Sequence, residues 1–119
     1  MYTETVLITG ASGEVGHGLI DALQHNNSRI ISLDLNPLNE RLQACVHDAM
    51  VGDITNTGLL RDIFQQYDID TVYHMAALLS TSAEKRPSLA HAVNVQGTLN
   101  LLELAHEQTQ QQQRTIKFI

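Results

Sequence analysis

Residues 4–25 constrain this chain more than any other stretch. The run Thr5–Thr9 is apolar and β-branched, and it stops at Gly10. Glycines recur at Gly13 and Gly16, giving a Gly-x-x-Gly-x-x-Gly spacing. From Val15 the apolar period becomes helical, with Val15, Leu19, Ala22 and Leu23 at i, i+4, i+7 and i+8. The stretch reads as a buried strand, a tight turn and an amphipathic helix. Such a turn suits a pyrophosphate. Gly10 permits the turn, Gly13 lets backbone approach the phosphates, and Gly16 lets the helix pack on the strand. Ser12, Glu14 and Val15 lie within the same cradle, where free backbone N–H groups and the helix dipole face the anion.

The chain has 119 residues, enough for one domain with a core. A hydrophobic content of 43% and a charged content of 17% are those of a globular protein. The net charge of −6 argues against a general nucleic-acid or anionic-membrane surface. It leaves room for a local anion site built from backbone N–H groups. One cysteine, Cys45, excludes an intrachain disulfide and a cysteine-based metal cluster, and suits a reducing compartment. The six histidines show no metal-ligand spacing, so no metal is expected. The amino terminus carries no basic-then-apolar signal, and no apolar run reaches the length of a membrane span. The expectation is a cytoplasmic soluble protein with no nucleic-acid or membrane partner.

Further along, strands are expected at 29–35, 49–52, 71–76 and 115–119. A short helical stretch is expected over 38–44. A second helix follows the cap candidates Thr55, Asn56 and Thr57, with Leu60, Ile63, Phe64 and Tyr67 as its apolar stripe. A long helix is expected over 87–109, with Pro87 in its first turn, and the run 110–114 is its polar end. Alternating short apolar strands and helices indicate a parallel sheet covered on both faces. With right-handed crossovers this is an α/β fold, a Rossmann-type doubly wound parallel sheet of about five strands, occupying residues 1–119.

A glycine turn of this kind needs an acidic partner at the end of the second strand, to accept hydrogen bonds from a ribose. Asp34 stands there, 18 residues after Gly16. Its charge disfavours a 2′-phosphate, so NAD is expected rather than NADP. Asp53 follows the third strand, and two readings stand for it: an acceptor for the adenine amino group with Ile54 against the ring, or an N-cap for the next helix. The fourth strand ends in Tyr73-His74-Met75-Ala76-Ala77, where small residues let a cofactor lie on the backbone. His74, inside an apolar strand, reads as a hydrogen-bonded structural residue before it reads as an acid or base. Asn94 shares a helix face with Ala90, Gly97 and Leu101, and an inward amide must find a partner.

In this order, the residues Thr9–Gly16, Asp34, Gly52-Asp53-Ile54, His74–Ala77 and Asn94–Thr98 resemble the extended short-chain dehydrogenase/reductase family, also called the NAD-dependent epimerase/dehydratase family. The stretch 75–87 is most similar to the L-threonine 3-dehydrogenase branch, with UDP-sugar 4-epimerases next. The resemblance implies NAD as cofactor, held by Gly10, Ser12, Gly13, Glu14, Val15, Gly16, Asp34, Asp53, Ile54, Met75, Ala76, Ala77 and Asn94. It puts Leu79, Ser80 and Thr81 on the substrate side, and gives Asn94 a supporting role in the active-site network. Glu14 departs from the aromatic residue common in the family at that position. The family's chemistry uses a Ser after the fifth strand and a Tyr-x-x-x-Lys pair. Here Tyr67 is followed four residues on by Thr71 and Tyr73 by Ala77, so the pair does not occur. The expectation is the amino-terminal half of an enzyme that acts on a small-molecule substrate, inactive alone. Self-association is expected through an apolar fifth strand with Ile116, Phe118 and Ile119 at the sheet edge.

Overall fold

The computed structural model describes residues 2–75, 96–112 and 116–119. Its elements are β1 (Thr5–Thr9), α1 (Glu14–His25), β2 (Arg29–Asp34), α2 (Glu40–Gln43), β3 (Asp48–Val51), α3 (Thr57–Gln66), β4 (Thr71–His74), α4 (Thr98–Gln112) and β5 (Lys117–Phe118). The strands form one sheet in the order β3-β2-β1-β4-β5, and every pairing is parallel. The order reverses at β1. Thr9 stands level with Leu33 on one side and His74 on the other, so the carboxyl ends of β1, β2 and β4 share one rim.

The central strand β1 is buried along its whole length, which explains its unbroken apolar run. Alternate residues feed two cores. Val6, Ile8 and Ile30 meet Ile20 and Leu23 of α1 and Leu42 of α2. Leu7, Ile31, Leu33 and Val72 meet Leu60, Ile63 and Phe64 of α3 and Leu101, Leu104 and Ala105 of α4. This is the doubly wound arrangement read from the sequence. The edge strand β3 alternates between half-buried and exposed residues, and starts one residue earlier than expected.

The helices differ from expectation in phase and capping. In α1, Val15 is 66% exposed and Ala22 is exposed, while Gly16, Ile20 and Leu23 form the buried face. Close packing of Gly16 against the turn rotates the helix away from its most apolar stripe. The α3 stripe Leu60, Ile63, Phe64 and Tyr67 is buried as expected. Its cap is Asn56, whose Oδ1 accepts from Leu59 N at 3.1 Å. The part of the long helix before residue 96, including Pro87 and Ala90, lies outside the described residues. The described part runs to Gln112, three residues beyond the expected end.

Gln108 of α4 had no part in the sequence reading. It is 4% exposed; its Oε1 accepts from Ile69 N at 2.8 Å, and its Nε2 donates to the carbonyls of Phe64 (2.6 Å) and Tyr67 (3.2 Å). A single amide thus satisfies the backbone where α3 turns into β4.

Candidate functional site

The turn between β1 and α1 is held from below. Gly10 adopts φ 73°, the left-handed region that a Cβ disfavours. Its N–H donates to Leu33 O at 2.8 Å, and Met75 N donates to Thr9 O at 2.9 Å, so β2 and β4 both grip the last peptide of β1. A Cβ on Gly16 would lie 2.2 Å from Ala11 O, so the helix sits directly on the turn. Among the described residues a Cβ on Gly13 would meet nothing nearer than Gly10 O at 3.9 Å. Gly16 is therefore required by packing inside the chain, and Gly13 by something approaching from outside or not at all.

The start of α1 supports the first alternative. Gly13 is the N-cap residue and has no side chain with which to cap the helix. The first-turn N–H groups, which include that of Val15, have no intrahelical acceptor and are left for an external one. Space over Gly13 among the described residues, first-turn donors without an intrahelical acceptor and a helix dipole fit a pyrophosphate.

Asp34 closes the β2 side of this turn. Its Oδ2 accepts from Ser12 N at 3.1 Å and its Oδ1 from Asn36 N at 2.8 Å. A carboxylate oxygen has more than one lone pair, so ribose hydroxyls can still be accepted. Asn36, two residues beyond β2, orients the carboxylate and was missed at the sequence level. An Asx pattern beyond the strand was its signal.

The adenine-side candidates are placed differently from each other. Asp53 Oδ1 accepts from Thr55 N at 2.9 Å and from Thr55 Oγ1 at 2.8 Å, and Asn56 N donates to Asp53 O at 2.9 Å. Asp53 builds the turn into α3 and Asn56 caps it, which corrects the N-cap reading of Asp53. Ile54 is 5% exposed and packs in the α3/α4 core; a Cβ on Gly97 would come within 2.9 Å of its Cγ2. This side chain fills the space left by the glycine.

At the end of β4, Met75 packs partly buried on the α1 side of the sheet. His74 points to the α3/α4 side. Its Nδ1 lies 2.7 Å from Thr9 Oγ1 and its Nε2 2.8 Å from Thr98 Oγ1. Burial lowers its pKa from the ordinary 6.5, so the ring is neutral at pH 7. The structural, hydrogen-bonded reading of His74 is the one the geometry supports. Its partners Thr9 and Thr98 stand at the ends of two of the stretches that carry the family resemblance, but no role for either was legible in the sequence. The expected site residues Ala76, Ala77, Leu79, Ser80, Thr81 and Asn94 lie outside the described residues, and nothing is described of the Glu14 side chain. Among the described residues no cluster of three or more His, Cys, Asp or Glu could hold a metal ion, and no helix is long and apolar enough to cross a membrane.

The parallel sheet and the glycine turn at its topological switch point, with a carboxylate beside it, define a Rossmann-type α/β domain. The chain belongs to the NAD-dependent epimerase/dehydratase family, which it matches over residues 6–119. It is 36% identical over 104 residues to an uncharacterised epimerase/dehydratase of Staphylococcus haemolyticus, covering 86% of this chain and 33% of that protein. The structure superposes on L-threonine dehydrogenase from Clostridium difficile with a TM-score of 0.77 and 31% identity, over 99% of this chain and 36% of that one. A UDP-glucose-4-epimerase from Stenotrophomonas maltophila, solved with bound NAD and formylated UDP-arabinopyranose, matches with a TM-score of 0.73 and 27% identity, over 88% of this chain and 34% of that one. The chain thus spans about a third of the length of the relatives it matches.

Proposed function

We propose that this chain is the cofactor-holding part of an NAD-dependent oxidoreductase that removes hydride from a carbinol carbon, with L-threonine the first candidate substrate. The observation that carries this reading is the uncapped start of α1 over an open Gly13, tied through Ser12 N to the Asp34 carboxylate. Gly10, Gly13, Gly16 and the N–H groups of the first turn hold the pyrophosphate, and Asp34 takes the ribose hydroxyls. When bound, the nicotinamide supplies the hydride acceptor. Glycine positions keep side chains off the phosphates, and Asp34 repels a 2′-phosphate. The likeness to an L-threonine dehydrogenase supports the substrate, and the likeness to a UDP-glucose-4-epimerase supports a sugar nucleotide as the alternative.

A second reading, a module that binds NAD without turnover, rests on one observation: no Tyr-x-x-x-Lys occurs among the 119 residues. For this chain alone the two readings agree, since both have it bind the cofactor and leave L-threonine unoxidised. Self-association through β5, which stands at the edge of the sheet, belongs to the same proposal; a monomer by light scattering would remove that part. The cofactor reading is tested by thermal unfolding with NAD and NADP. NAD at a hundredfold excess over its Kd stabilises the fold by about 2.7 kcal/mol, and NADP stabilises it less. No shift with millimolar NAD would overturn the reading.

A further inference from the structure

We propose that His74 is a positioning residue for the cofactor turn: its imidazole clamps Thr98 of α4 to the last residue of β1, so that Thr98 helps to fix the backbone that meets the pyrophosphate. The proposal rests on the cofactor reading above and extends it to residues outside the glycine turn.

Three elements converge on one ring. Thr9 closes β1 and directly precedes Gly10, the residue with positive φ. Thr98 lies in α4 and follows Gly97, which lies against Ile54. His74 ends β4 and stands level with Thr9 in the sheet. The ring joins the two hydroxyls, 2.7 Å from one and 2.8 Å from the other, with a different nitrogen facing each.

The chemistry makes this a directional link. A neutral imidazole has one N–H and one bare nitrogen, so one hydroxyl donates to the ring and the other accepts from it. Fixing either hydroxyl fixes the tautomer, and with it the role of the other. Thr9 is fully buried, and its own carbonyl accepts from Met75 N at 2.9 Å. Backbone bonds therefore hold the Thr9 peptide in the sheet, and the ring holds its side chain. The next residue is the turn. Loss of the Thr98 bond leaves the ring less firmly oriented, and a less oriented ring leaves the Thr9 side chain, and so the entry into Gly10, less constrained. A bound anion that orders the turn tightens the hold on Thr98 by the same amount, since such coupling is reciprocal.

The test uses Thr98→Val, which removes one hydroxyl at nearly constant shape, and Thr98→Ser, which restores it. Two quantities are read on the full 119-residue chain: NAD affinity by calorimetry, and amide exchange at Gly10–Gly13 without NAD. T98V is expected to weaken NAD binding about fivefold and to speed exchange at the turn, and T98S to restore both. His74→Leu should act in the same direction and more strongly. If H74L fails to fold, T98V decides alone. A T98V protein with a lower melting temperature but wild-type exchange at the turn overturns the clamp, and leaves Thr98 as an ordinary stabilising residue. Faster exchange with unchanged NAD affinity overturns the positioning role. If the wild type binds no NAD at all, the proposed function and the positioning role fall together, and the exchange experiment still decides whether the link between α4 and the turn exists.

Discussion

The backbone N–H of Ser12 donates to Asp34 Oδ2 at 3.1 Å, so the end of β2 and the glycine turn are one unit. The same carboxylate also holds Asn36 N, which keeps it at the mouth of the turn. Asp34→Ala should therefore weaken NAD binding in two ways, by removing the ribose acceptor and by releasing the turn. Hydrogen bonds to a charged group contribute about 1.5–3 kcal/mol, so calorimetry should show a loss of about ten- to a hundredfold. Asp34→Asn keeps an oxygen acceptor and removes the charge. It should bind NAD better than D34A does and discriminate less against NADP. Unchanged preference for NAD over NADP in D34N would mean that the charge does not set cofactor choice.

The three glycines should separate stability from binding. A methyl on Gly16 has 2.2 Å to the Ala11 carbonyl, with backbone on both sides, so one partner must move. Gly16→Ala should cost about 1–3 kcal/mol in urea unfolding, the usual range for overpacking. Gly13 is extended, at φ −75° and ψ 172°, and has open space. Gly13→Ala should leave stability within about 0.5 kcal/mol of wild type and still reduce NAD affinity, because its methyl enters the space of the phosphates. An equal loss of stability in both variants would show that Gly13 serves the fold and not a ligand.

What was legible in the sequence follows from the range over which each signal acts. Gly10, Gly13, Gly16 and Asp34 are read from spacing alone, because one turn and one strand length place them. The stripe of α3 was legible because all four of its apolar residues are also buried. The phase of α1 was not, since Val15 and Ala22 are apolar yet exposed, and the buried face contains a glycine that no hydrophobic count records. Asp53 and Asn56 are equally good caps on paper; the choice between them depends on where Thr55 turns. The packing of Ile54 was not legible either, because Gly97, 43 residues away in the chain, makes room for it in the core. Gln108 sits at the edge of a glutamine-rich run and looks like a solvated side chain. Its three hydrogen bonds depend on a helix packing that only the fold supplies.

Gln108 should accordingly be the costliest glutamine in that run. Gln108→Leu leaves Ile69 N–H and the carbonyls of Phe64 and Tyr67 without this partner in a buried place. A loss of about 2–3 kcal/mol is expected from unmade bonds to buried polar groups. Gln111→Leu, at an exposed position, should stay within about 0.5 kcal/mol of wild type. Urea unfolding of the two variants side by side checks the contrast, and equal stabilities would remove the structural role given to the buried amide.

The pH dependence of stability should carry a His74 component of definite sign. Burial lowers the folded pKa of this ring below 6.5, while in the unfolded chain it returns to its ordinary value. Below that value the unfolded state binds more protons than the folded state. The contribution of a neutral His74 is therefore complete above a pH of about 6.5 and is lost as pH falls towards the folded pKa, at up to about 1.4 kcal/mol per pH unit. His74→Gln keeps a neutral polar group at every pH and should lose this component. The other histidines are shared by both proteins and cancel in the difference. Urea unfolding from pH 8 down to about pH 5 should show the wild type losing stability relative to H74Q below about pH 6.5. Parallel curves across that window would mean that His74 accepts its proton in the folded chain as readily as in the unfolded one, and that the Thr9–His74–Thr98 link does not depend on a neutral ring.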